Sequence, residues 1–158
     1  MTMMIPKFRI LIEQMYNPKI QLRNSDIVLA YTFLRLVFGI NMFVHGLVRI
    51  GNIQGFVNSQ VGLYKDIAIP PLLVAVPAYL IPIVEFAVGL LLILGLQTRK
   101  ALIANFLLMM TLMFGVCLLQ KWDIAGSQLI YNIILFILLA GCSFNLISVD
   151  NWLNRKKR

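Results

Sequence analysis

The sequence predicts an all-α fold, four transmembrane helices packed as an antiparallel up-and-down bundle, on three observations. Of its 158 residues 60% are hydrophobic and only 13% charged, and the mean hydropathy is +0.86. A soluble domain carries about 45 to 50% apolar and about 25% charged residues, so a globule of this composition lacks the polar surface to stay in water. Four stretches reach the roughly 20 apolar residues needed to cross about 30 Å of hydrocarbon. The second and third connections are short enough to make successive spans antiparallel neighbours, and only the first loop is long. Most soluble enzyme classes are thereby excluded, and the net charge of +8 is a matter of topology rather than of nucleic acid.

Residues 1–26 read as a cytoplasmic N-terminal segment, in which Phe8, Ile10, Leu11, Ile12, Met15 and Tyr16 have the pattern of a short interfacial helix. The segment lacks the apolar core of a secretory signal, so the N-terminus is expected to be retained. Residues 27–147 form the membrane domain, with spans at Ile27 to Val48, Leu72 to Leu96, Ala101 to Leu119 and Ile124 to Ile147. Asn24, Ser25 and Asp26 suit the start of the first span, Thr98 caps the third, Asp123 the fourth, and Gly95 suits the end of the second. The first loop, Gly51 to Pro71, carries Ile53, Phe56, Val57, Val61 and Tyr64 at the loose spacing of a short helix resting on the bundle. Trp122 and Trp152 fall at opposite membrane edges, where an indole is amphipathic enough to anchor. Residues 148–158 form a basic cytoplasmic tail that touches anionic lipid headgroups.

Charge sets the direction. Lys7, Arg9, Lys19, Arg23, Arg99, Lys100, Arg155, Lys156, Lys157 and Arg158 share one side of a four-pass chain, against Arg49, Lys65 and Lys121 on the other. Both termini are therefore expected in the cytoplasm and the protein in the plasma (inner) membrane. Cys117 and Cys142 lie near opposite membrane faces, more than about 20 Å apart by helical rise, so they form no redox pair, and no metal-spaced set of ligands occurs.

In lipid the informative side chains are the polar ones. Arg35 and Glu85 each cost about 3 kcal/mol at the bilayer centre. Arg35 lies eight residues into its span and Glu85 near the middle of the next. Depth therefore predicts an Arg35 to Glu85 ion pair facing the bundle interior, serving either helix register or a site. Pro82 cannot donate to the Ala78 carbonyl, so the second span is expected to kink beside the acid. Nearer the outer edge, Asn41, His45 and Arg49 follow one another on the first span. Gln120 comes from the third, and Ser127, Gln128, Tyr131 and Asn132 from the fourth. Such donors between aromatic walls suit the carbonyl oxygens of a quinone, with His45 able to exchange a proton near neutral pH; the alternative is that they are interhelical hydrogen-bonding glue.

Leu34-Arg35-Leu36 with Gly39, then His45-Gly46 with Arg49, resemble the first span of the DoxX-like family, with its R-L-x-x-G and H-G-x-x-K/R pattern. Glu85 with Gly89 and the run Gly95-Leu96-Gln97-Thr98-Arg99 are similar to that family's E-x-x-x-G and G-L-x-T-R sequence, and Trp122, Gln128, Leu129 and Tyr131 add a weaker likeness. The resemblance implies a four-helix membrane bundle and, from one branch of the family, a subunit of thiosulfate:quinone oxidoreductase. In that system electrons pass from a sulfur compound to membrane quinone with the help of a partner subunit.

The expected function is a membrane subunit of a quinone-linked redox system. His45, Arg49 and Glu85 are its candidate reacting groups, and Arg35, Asn41, Gln128 and Tyr131 its candidate quinone-binding groups. Quinone is the one cofactor expected, because no haem, flavin or metal motif is recognisable. Whether the chain is itself an enzyme stays open at this point. The alternative is a non-catalytic membrane anchor or assembly subunit of a redox or envelope complex. A protein partner is expected in either case, with self-association open. A solute carrier ranks last, since one set of four spans lacks the internal repeat of such folds.

Overall fold

The computed structural model describes residues 23–156; the interfacial helix expected near the N-terminus and the last two basic residues lie outside this range. The described residues are almost entirely helical. Helices α1 (Asn24–Gly51), α3 (Pro71–Leu94), α4 (Thr98–Leu118) and α5 (Trp122–Ala140) are long and apolar enough to cross a membrane. The short α2 (Ile53–Leu63) occupies the first loop, as its spacing predicts. Asn52 caps it by accepting a hydrogen bond from the Gly55 amide at 3.1 Å. We call the end of the bundle that carries α2 the loop end and the opposite one the terminal end.

The outward faces carry exposed Phe33, Val37, Leu72, Leu107, Met110, Phe114 and Phe136, as contact with acyl chains requires. The protein is accordingly a multi-pass membrane protein. Between the helices lies a core of Phe38, Met42, Val88, Leu92, Leu102, Met109, Leu135 and Leu138.

Helix ends differ from expectation in three places. Asp123 does not cap α5: it stands in the first turn, behind Lys121 at the cap position, and no side chain caps that helix start. The fourth span stops at Ala140 instead of Ile147. Gly141 is followed by a 3₁₀ turn (Cys142–Phe144), and the chain then re-enters helix as α6 (Val149–Lys156). Thr98 does not cap α4 with its own side chain. The cap comes from Asp150, 52 residues away, which accepts the Gln97 amide at 2.7 Å and the Thr98 amide at 2.9 Å. A carboxylate on the unpaired amides of a helix start satisfies them and matches the helix dipole. Gly95 closes α3 in the left-handed conformation (φ 64°), as expected. Replacing Asp150 by Ala leaves those two amides to water, which should cost about 1–2 kcal/mol and lower the unfolding temperature in detergent, read by circular dichroism.

α1 and α3 form the closest helix pair, and α3 runs unbroken through Pro77 and Pro82. Gly39 of α1 faces Leu92 and Ile93, Gly46 faces Pro82 and Phe86, and Gly89 of α3 faces Phe43. This register offsets the two helices. Gly46 stands five residues from the end of α1, about 7.5 Å, while the Pro82 to Phe86 segment it meets is centred about 19 Å into α3. The first turns of α3 therefore project on the order of 12 Å beyond α1. α2 folds back beside that projection, where the Tyr79 hydroxyl donates to the Gln54 Oε1 at 2.5 Å.

Candidate functional site

The offset between α1 and α3 decides which charges meet. The ion pair expected between Arg35 and Glu85 is not formed. Glu85, with its side chain only 3% exposed, pairs through Oε1 with Nη1 of Arg49. Arg35 and Arg49 are fourteen residues apart, about 21 Å along α1, so one carboxylate cannot serve both. Spans standing level with one another would bring Arg35 beside Glu85; the stagger instead lowers Arg49 from the membrane edge to the depth of Glu85.

Arg35 lies instead at the level of Gly95. Its Nη1 donates to the Asn145 Oδ1 at 2.8 Å and its Nη2 to the Ile147 carbonyl at 3.0 Å. A side chain on Gly95 would collide with this guanidinium, so the left-handed turn and the buried cation require the same residue there. Asn145 also donates through Nδ2 to the Thr98 Oγ1 at 2.9 Å, and the Tyr31 hydroxyl donates to the Leu138 carbonyl at 3.1 Å. The terminal end is thus a packing centre that fastens the segment after α5 to α1 and to the α3–α4 turn.

At the loop end the stagger leaves a cavity of about 640 Å³ between α2, the projecting turns of α3, the last turns of α4 and the start of α5. Its walls are mainly apolar, with Leu73, Val74, Pro77, Ile81, Leu112 and Leu119. Phe56, Tyr64 and Phe114 supply rings, and Arg49, Gln60, Thr111, Lys121 and Gln128 the polar groups. Arg49 is fixed from two directions, by Glu85 and by the Phe56 ring, whose centroid lies 5.0 Å from its guanidinium carbon. Tyr64 lies against Gly115, where the absence of a β-carbon makes room for its hydroxyl. Burial pushes its phenol above the ordinary value, so Tyr64 is a neutral hydrogen-bond donor at neutral pH.

Of the residues singled out from the sequence, Arg49 and Gln128 line this cavity, and Glu85 stands behind Arg49. His45 is exposed on α1, within electrostatic range of Glu85 but outside the cavity wall. Asn41 is half-buried with its Oδ1 unpartnered, and the Tyr131 ring packs edge-on against Phe38 with centroids 6.0 Å apart. Ser127 and Asn132 spend their donors on carbonyls of their own helix, and Gln120 is exposed in the α4–α5 turn. The two cysteines are free.

The sequence reasoning passed over Gln60, Tyr64, Thr111 and Lys121, whose convergence depends on the fold of α2. It also passed over Asn105, for which a signal existed. Asn105 interrupts an apolar span, is fully buried, and has no hydrogen-bond partner for either amide atom. The Oε2 of Glu85 and the Oε1 of Gln128 are buried without partners as well, so unsatisfied polar groups persist along the interior behind the cavity.

No curated protein and no solved structure gives a significant match to the chain. Arg35, Gly46, Arg49, Glu85, Gly89, Gly95 and Thr98, the residues that join α1 to α3 and to the α3–α4 turn, all fall within residues 30–120, which match the DoxX family profile. That match spans more than half of the sequence, and the protein belongs to the DoxX family.

Proposed function

We propose that this DoxX protein is the membrane subunit of a quinone-linked redox system and that the loop-end cavity receives the quinone ring. One observation carries the reading: a largely apolar cavity of about 640 Å³ with a guanidinium in its wall, immobilised by a buried carboxylate and an aromatic face. A quinone needs an apolar enclosure for its ring and tail and donors for its carbonyl oxygens. Arg49 and Gln128 offer such donors, and Tyr64, Gln60 and Lys121 add others. Reduction to the quinol takes two electrons and two protons. The electrons come from a sulfur compound oxidised on a partner subunit, and His45 and Glu85 are the groups of α1 and α3 able to exchange protons near Arg49. On this reading both termini lie in the cytoplasm of a cell with a plasma (inner) membrane and the cavity faces the outer side, a direction that the excess of basic residues at the terminal end supports.

Protein purified in mild detergent should carry extractable quinone, measured by chromatography of the organic extract against protein concentration. Val74→Trp fills the cavity from α3; overpacking of this kind costs about 1–3 kcal/mol and should lower retained quinone about tenfold or more. A protein that holds no quinone, and that added quinone neither stabilises nor binds, would sink the proposal.

A second reading, a non-catalytic membrane anchor, is favoured by α5. Only Ala125, Leu135 and Leu138 of that helix are buried, so most of its surface faces outward and is open to a partner's helix. In that case His45→Ala leaves the activity of the assembled complex intact.

A further inference from the structure

We infer that residues 146–156, with Arg99 and Lys100, form a headgroup site for anionic phospholipid at the terminal end of the bundle. The tail is not a free basic strand. Asp150 accepts the Gln97 and Thr98 amides, and its own amide donates to the Gly95 carbonyl at 3.0 Å, so α6 sets out from the α3–α4 turn in a fixed position. Arg155 and Lys156 follow within about 9 Å along α6, and Arg99 and Lys100 adjoin Thr98. Four exposed cations therefore surround one turn.

Asp150 is occupied by two amides, and the only other described acid at this end is Asp26, in the first turn of α1. Among the described residues none of the four cations enters an ion pair. Beside them Leu146, Ile147, Trp152 and Leu153 are exposed, and the Lys156 ammonium sits 4.1 Å from the Trp152 ring centroid. Cations alone would suit any phosphate. Cations bordering an exposed apolar surface and an indole, at the end of a transmembrane bundle, suit a phosphate attached to acyl chains. Because Ile147 of this segment and the adjoining Asn145 hold Arg35, lipid bound here braces the residues that hold the buried guanidinium.

The test uses the full chain with Trp122→Phe, which leaves Trp152 as the single tryptophan. The protein is reconstituted in phosphatidylcholine and phosphatidylglycerol, with bromine on the acyl chains of one lipid or the other at equal mole fraction. Trp152 fluorescence should be quenched more by the brominated phosphatidylglycerol, with a preference of several-fold that Arg99→Gln, Lys100→Gln, Arg155→Gln and Lys156→Gln together abolish. Should that combined variant fail to fold, Arg155→Gln and Lys156→Gln singly must each reduce the preference. Equal quenching by the two lipids overturns the proposal. So does a preference that millimolar inorganic phosphate removes while sodium chloride of the same ionic strength does not, because the cations would then hold a free anion.

Discussion

Replacing Arg49 by Leu should be among the most damaging single changes in the protein, lowering folded yield from membranes and costing about 3–5 kcal/mol of stability. The Glu85 side chain is 3% exposed and Arg49 is its hydrogen-bonding partner, so the variant strands a carboxylate inside the bundle without a counter-charge. The loss belongs to the abandoned acid rather than to the pair as such, which gives a distinctive signature. Arg49→Leu combined with Glu85→Leu should recover much of the yield and of the unfolding temperature, because removing both members leaves no buried charge to desolvate. Arg35→Leu, by contrast, should not be relieved by Glu85→Leu, since its partners are Asn145 and the Ile147 carbonyl. Suppression of Arg35→Leu by Glu85→Leu, with none for Arg49→Leu, would contradict the pairing described here. Unfolding temperature in detergent, followed for all four variants and for Glu85→Leu alone, decides between them.

That the pairing was wrongly assigned from sequence while its members were rightly singled out reflects what lipid does and does not encode. The high cost of charge in hydrocarbon makes Arg35, Arg49 and Glu85 conspicuous wherever they fall. The same solvent makes the spans conspicuous: α1, α3 and α4 end within three residues of the expected bounds. The relative height of two neighbouring helices is written in neither signal. It follows from which glycine meets which backbone, and no hydropathy pattern distinguishes a glycine that packs from one that does not. His45 and Arg49 illustrate a second limit. Four residues apart, they differ by about 40° around the helix, and the longer arginine reaches inward from a position where histidine remains exposed. The break after Ala140 was hidden because Cys142, Phe144, Leu146 and Ile147 are as apolar as a span, although they form a 3₁₀ turn and an irregular link. Asp150 read as part of a solvated tail because a helix cap supplied across 52 residues leaves no local trace.

If glycine contact sets the stagger, then the seam between α1 and α3 should be the feature least tolerant of a single methyl group. A β-carbon on Gly89 would stand 2.6 Å from the Phe43 α-carbon and 2.8 Å from the Gly39 carbonyl oxygen; one on Gly46 would stand 2.7 Å from both the Phe86 α-carbon and the Pro82 carbonyl oxygen. These obstacles are backbone, which cannot turn aside as the end of a side chain can. Close backbone approach through small residues is the main attraction available to helices in lipid, where the hydrophobic effect supplies none. Gly89→Ala should therefore destabilise by about 1–3 kcal/mol, and the double change with Gly46→Ala by more. Gly62→Ala and Gly126→Ala, where a β-carbon meets nothing within 4 Å, should leave the unfolding temperature unchanged or slightly higher, since alanine favours helix. The consequence reaches the cavity, because forcing the seam apart moves Arg49 away from Glu85 and removes what holds the guanidinium in the wall. A destabilised Gly89→Ala protein should thus be relieved in part by Arg49→Leu with Glu85→Leu, since the double change removes the carboxylate that the displaced seam strands. Equal tolerance of alanine at Gly89 and at Gly126 would mean that the helices are held at another height.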